Sequence, residues 1–168
     1  MPGADGSYTP GEAAAKMAAR IRNITNLKPL MDAQAKLFQS ATDAAFKAQR
    51  SPAGESWPKL AQSTLDARKR AAKGGKSRDT LGRFTGNAAL YRTGTMRRTT
   101  KYVGDVSTVR LQTVDYMTPH QVGNAQGRPP KRNPLVYERA GGQLVLAPQF
   151  ARQFRDAFIA YVETGKVA

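Results

Sequence analysis

The sequence predicts an α+β fold: N-terminal helices, antiparallel β-hairpins forming a small sheet, and a C-terminal amphipathic helix packed on it. Three observations carry this reading. Apolar residues recur at helical spacing in the first 50 residues and again from about Pro148 to Glu163. Between these stretches, short runs alternate apolar and polar residues across turn-forming dipeptides. The order is helices, then strands, then a helix, without the βα alternation of a parallel sheet. Residues 1–50 read as a helical region and 51–168 as an α+β domain.

Each element has a local reason. Residues 1–8 are small and polar. Thr9 is placed to cap a helix, with Pro10 at its first position and Glu12 closing a capping box. Ala13, Met17, Ile21 and Ile24 then share one face. Asn23 and Asn26 weaken the end of this helix, and Lys28-Pro29 interrupts it. A second helix is expected from about Pro29 to Gln49. Its stripe is Leu30, Ala33, Leu37, Ala41, Ala44 and Ala48, widened by Phe38 and Phe46.

The break SPAGESWP at 51–58 contains Trp57, the only tryptophan, a residue type that usually anchors a core or an interface. A short helix is expected from Lys59 to about Ala72, and a long loop over 73–87, which holds four glycines. Leu90 and Tyr91 form a short apolar element. A first hairpin is expected from about Thr99 to Val114, turning at Gly104-Asp105, with Val109 and Leu111 facing inward. Tyr116 to Val122 makes one helical turn. A second hairpin pairs Leu135–Arg139 with Gln143–Leu146 across Gly141-Gly142. In the last helix Phe150, Phe154, Ala157, Phe158 and Tyr161 share one face.

Composition removes whole classes of chemistry. The 168 residues contain no cysteine and one histidine, His120. Disulfides, thiolate zinc sites, cysteine nucleophiles and His-rich metal sites are therefore excluded. No apolar run approaches the ~18 residues of a membrane helix. The N-terminus MPGADGSYTPGE lacks the basic-then-apolar order of a signal peptide. The expectation is a chain made and used in a cytoplasm-like compartment, or carried from there inside a particle.

Gly75-Lys76-Ser77 resembles the end of a phosphate-binding P-loop, but Arg70 stands where the motif needs glycine, and no strand precedes it. Asp115 and Thr118 are the groups nearest His120 in sequence, and their spacing fits no catalytic triad. The twelve carboxylates are spread thinly. No nucleophile–base arrangement can be drawn, so the sequence predicts a protein that is not an enzyme and needs no cofactor or metal.

Charge is more informative. The chain carries 27 basic and 12 acidic residues, a net of +15. From Arg68 to Lys101 eleven basic residues face one acid, Asp79, for a net of +10. Arg68, Lys69, Arg70, Lys73, Lys76, Arg78 and Arg83 lead into and through the loop at about 68–87. Three readings stand side by side: contact with DNA phosphates, docking onto an acidic protein surface, or a solvated loop. No recognition helix or aromatic RNA-binding signature is present, which argues against sequence-specific readout.

Several segments, taken in order, resemble the phage virion morphogenesis family, the tail completion proteins of Mu-like phages and their relatives. Glu55-Ser56-Trp57-Pro58-Lys59-Leu60 is similar to the family's G-x-x-W-x-x-L segment, and Ser63-Thr64-Leu65 and the basic Arg68-Lys69-Arg70 follow it. Leu90-Tyr91-Arg92-Thr93-Gly94-Thr95-Met96 resembles L-x-x-T-G-x-L. Tyr116-Met117 through His120-Gln121-Val122-Gly123 resembles Y-A-x-x-H-Q-F-G. Pro130-Lys131-Arg132-Asn133-Pro134-Leu135 resembles P-A-R-P-F-L, with Asn133 and Pro134 departing from it. The resemblance covers about residues 50–165, and the second hairpin sits where many members pass more directly into the final helix.

The resemblance implies a structural virion protein at the neck or tail end. Such a protein completes or caps the tail and joins it to the head, most simply as a hexameric ring of identical subunits. Its implied partners are further copies of itself, the tail tube, head–tail connector proteins and double-stranded DNA in the lumen. Assembly would take place in the host cytoplasm. The motif residues Trp57, Leu60, Thr93, Gly94, Tyr116, His120, Gly123, Pro130, Arg132 and Leu135 are its candidate subunit contacts. Each also has a plainer role. Trp57 and Leu60 fix a helix start, Thr93-Gly94 makes a turn, His120 to Gly123 sets a corner, and Pro129-Pro130 stiffens an arm. The rival reading is a sequence-nonspecific DNA-binding protein acting through residues 68–101.

Overall fold

The computed structural model describes residues 8–73, 89–90, 95–122, 132–140 and 143–167. In chain order these form α1 (Pro10–Thr25), α2 (Lys28–Ala48), α3 (Gln62–Lys73), α4 (Thr95–Thr99), β1 (Lys101–Gly104), β2 (Val109–Gln112), α5 (Met117–Val122), β3 (Tyr137–Ala140), β4 (Gln143–Leu146) and α6 (Pro148–Thr164). The fold is α+β with a C-terminal helix.

The first helix begins as its cap dictates. The Thr9 hydroxyl accepts the Glu12 N–H at 3.3 Å, and the Glu12 carboxylate accepts the Thr9 N–H at 2.9 Å. α1 then rests on α6 through polar groups. Asn23 Nδ2 donates to the carbonyls of Tyr161 and Val162 at 3.2 and 3.0 Å, and the Tyr161 hydroxyl donates to Asn26 O at 2.6 Å. No residue of α1 is buried.

α2 runs through the centre. Pro29 lies in its first turn, and Gln49 ends it in the left-handed region at φ 56°, returning its N–H to Ala45 O. Its buried face is Leu30, Met31, Gln34, Ala35, Phe38, Thr42, Ala45 and Phe46, while Ala44 and Ala48 are exposed. The expected alanine stripe is therefore rotated. The large side chains Met31, Phe38 and Phe46 claim the interior, because their burial removes more apolar area from water than alanine can.

One cluster joins α2 to the rest of the chain. Ala35, Phe38, Ala45 and Phe46 pack with Trp57, Ala89, Met96, Tyr102, Met117, Leu135, Val136, Ala147 and Phe150. Phe38 meets Tyr102 and Phe150 edge-on, at ring centroid distances of 5.8 and 6.0 Å. A smaller cluster seals Leu30 and Met31 against Tyr161 of α6. Residues on both sides of position 50 share the main cluster.

Both hairpins form, the second in the register that a turn at 141–142 sets, while the first turns over residues 105–108 rather than at Gly104-Asp105, because Gly104 stays in the ladder opposite Val109. Lys101 pairs with Gln112 and Gly104 with Val109, and Tyr137 pairs with Leu146 and Ala140 with Gln143. The sequence led us to expect one small sheet; among the described residues the hairpins are two separate two-stranded sheets. Each is held by a helix instead: β1 lies along α2, and β3 contacts α5. The first contact depends on Gly104. A Cβ there would stand 2.7 Å from the backbone of Met31 and Asp32, so only glycine lets the strand come so close.

Candidate functional site

α3 starts at Gln62, later than its periodicity suggests. The preceding residues are held in an extended course by Trp57 and by a guanidinium from far along the chain. Trp57 is buried, its indole N–H donates to Asn133 O at 3.3 Å, and its ring stands edge-on to Phe46 at 5.7 Å. Arg132 is only 5% exposed; its Nε donates to Pro58 O at 3.0 Å and its Nη2 to Lys59 O at 3.3 Å.

The segment after Arg132 is fixed by a buried amide. Gln121 Nε2 donates to Asn133 Oδ1 and to Tyr137 O, and Gln121 Oε1 accepts the Leu135 N–H at 3.4 Å. The backbone N–H of Arg132 donates to His120 O at 2.7 Å. Asn133 thus departs from the family-like pattern and still serves two partners, Trp57 and Gln121.

These ties bring five sequence-nominated residues to one place, Arg68 of the basic stretch among them. Leu60, Tyr116, His120 and Arg132, together with Arg68, Leu90 and Met96, line a pocket of about 360 Å³. Burial first, and then the charge of Arg132, push the His120 imidazole below its ordinary value. Burial first, and then the charge of Arg68, lower Arg132 as well. His120 Nδ1 is buried without a hydrogen-bond partner.

The other nominated residues lie elsewhere. Trp57 and Leu135 belong to the main core. Lys69 and Arg70 are exposed on α3, and Lys73 ends that helix. Lys76, Arg78, Arg83, Thr93, Gly94, Gly123 and Pro130 lie outside the described residues. The sequence did not single out Gln121 or Asn133 as a buried knot. No spacing signal marked it: Gln121 and Asn133 are separated by a polar stretch rich in glycine, proline and basic residues, where amides are ordinarily solvated. Among the described residues no group of three His, Asp or Glu is placed to hold a metal, and no helix is long and apolar enough to cross a membrane.

No family model matches the chain, and no curated protein or solved structure is significantly similar to it.

The surface carries a second feature. α1 has an apolar stripe, and that stripe faces solvent: Met17 is 64% exposed, Ile21 59% and Ile24 50%. At 100° per residue the stripe lies roughly a quarter turn from the Arg20–Asn23 strip that touches α6. Periodicity placed these residues on one face without saying what covers it. The helix is anchored through Asn23, whose amide reaches two carbonyls at the end of α6.

Proposed function

We propose that this chain is a structural phage virion protein that completes the tail and joins it to the head, acting as a ring of identical subunits, most simply six. It carries out no catalysis in that role. The observation that carries the reading is the uncovered stripe of α1, with Met17, Ile21 and Ile24 on one exposed face. Contiguous apolar surface of this kind marks a contact with another molecule. A ring closes when one such patch meets a different patch on the next copy. The order of family-like segments along residues 50–165 supplies the phage context, and seven of their residues line one pocket.

The net charge of +15 sets how the ring responds to salt. Like-charged subunits repel, and salt screens that repulsion, so contacts made by apolar residues strengthen as salt rises. Phosphate contacts weaken steeply instead. Light scattering of the purified chain at low and high salt tests the reading. A hexamer-sized species that persists at high salt, and that Ile21→Asp converts to monomer, is the expected result. A chain that stays monomeric at both salts and also in the presence of purified tail tubes overturns it. Salt-sensitive duplex binding by that monomer would favour the DNA-binding reading, for which the exposed Lys69 and Arg70 of α3 speak.

A further inference from the structure

The pocket between α3, α4, α5 and the Arg132 segment has an unusual electrostatic composition. Three basic side chains line it, Arg68, His120 and Arg132, and no carboxylate does so among the described residues. Arg132 is the centre of the problem. It is nearly fully buried, yet its partners are two neutral carbonyls, of Pro58 and Lys59. A buried charge normally has a counter-ion, because desolvation is expensive. Those carbonyls take two of the five N–H donors of the guanidinium, which leaves three for the pocket it lines. His120 Nδ1 adds a buried polar atom that lacks a partner. The remaining wall is Leu60, Leu90, Met96 and the Tyr116 ring.

We propose that this pocket binds a carboxylate carried on a compact apolar body. The carboxylate takes the free donors of Arg132 in the planar geometry that guanidinium groups match well. The apolar body lies against Leu60, Leu90 and Met96. A volume of about 360 Å³ suits a small aromatic or branched acid. Binding supplies a counter-ion for Arg132, which has none among the described residues, and relieves its repulsion with Arg68. The proposal does not depend on the assembly role.

The site is also proton-coupled. The ionisable groups facing His120 are Arg68 from α3, Arg132 from the following segment and the Tyr116 phenol at the start of α5. Burial and Arg132 keep the imidazole neutral at neutral pH. A bound carboxylate favours the protonated ring, so binding raises the His120 midpoint and tightens as pH falls.

His120 is the only histidine, so its ring resonances report the site without ambiguity. The test titrates benzoate, benzyl alcohol, N-acetylphenylalanine and inorganic phosphate into the full chain and follows those resonances by NMR. The expected result is a saturable shift with benzoate, a raised His120 midpoint, and no response to benzyl alcohol. Arg68→Gln should weaken benzoate roughly tenfold, the usual scale of one lost charged partner. Arg132→Gln should abolish binding, with backbone spectra checking that the fold survives. N-acetylphenylalanine presents the same chemistry as a polypeptide terminus, so tighter binding of it than of benzoate identifies a chain end as the source. An unsaturated response to benzoate, an equal response to benzyl alcohol, or tighter binding of phosphate overturns the proposal.

Discussion

α1 and α2 are neighbouring helices of comparable amphipathicity, and they meet opposite fates. α2 buries eight residues and supplies the aromatic centre of the core, while α1 buries none and turns Met17 and Ile21 to solvent. The difference lies in what each can reach. α2 faces the first hairpin and α6, and Tyr102 and Phe150 close over Phe38 while Trp57 closes over Phe46. Among the described elements α1 packs mainly on α6 and is tied there by Asn23 and Tyr161. Periodicity creates an apolar face; a partner of matching shape decides whether that face is covered.

The sharpest way to break the comparison is at its buried end. Phe46 is 1% exposed and packs on Trp57. Phe46→Ala should cost about 3–5 kcal/mol, the range for a large aromatic removed from a core, read as a fall in the urea midpoint of unfolding. A cost near zero would mean that α2 is no more central than α1.

A smaller effect is expected where α2 holds β1. The buried Thr42 hydroxyl lies 3.0 Å from the Tyr102 hydroxyl. Burial pushes the Tyr102 phenol up from 10 to about 12, and the Thr42 hydrogen bond opposes that rise. The folded state therefore keeps a proton that the unfolded chain releases above pH 10. Stability should be flat in this respect below pH 10 and fall as pH rises from 10 to 12. Thr42→Val should cost about 1 kcal/mol at neutral pH and push the phenol higher still. Urea midpoints and the ultraviolet titration of the tyrosines measure both. A stability profile that is level between pH 10 and 12 would count against a buried phenol.

Much of this architecture was legible because its causes are local. Thr9, Pro10 and Glu12 mark the start of α1 within four residues. Alternation at Val109 and Leu111 marks β2, and two glycines mark the second turn. What escaped was non-local. The alanine stripe of α2 looked inward until Tyr102 and Phe150 supplied the surface that selects Phe38. The late start of α3 depends on Arg132, more than 70 residues away, bonding to Pro58 and Lys59. The pocket shows the same limit. Its residues were nominated one by one, but their convergence needs the Gln121–Asn133 knot, which no spacing rule encodes.

At the exposed end of the comparison, Ile21→Ala should leave the unfolding free energy of the monomer within about 0.5 kcal/mol, as for surface changes elsewhere. Alanine is also the better helix former. The same change should weaken self-association measurably in light scattering. A clear loss of monomer stability would instead mean that the stripe of α1 packs within its own chain.

The smallest effect belongs to the cap that starts α1. The Thr9 backbone N–H, and then its hydroxyl, hold the Glu12 carboxylate below its ordinary value of 4.5. A lowered value means that the carboxylate's contribution is present above pH 4.5 and is lost as pH falls through the folded value. Thr9→Ala should speed hydrogen exchange at the first-turn amides of α1 and leave those of α2 unchanged. Acidification should lower the protection of the same amides relative to their intrinsic exchange rate at each pH, and do so less in the variant, whose cap is already gone. Because α1 buries nothing, its first turn has no core to fall back on, and local capping is what holds it. Protection that ignores both Thr9 and pH would place the anchor of α1 entirely at its other end, in the Asn23 contact with α6.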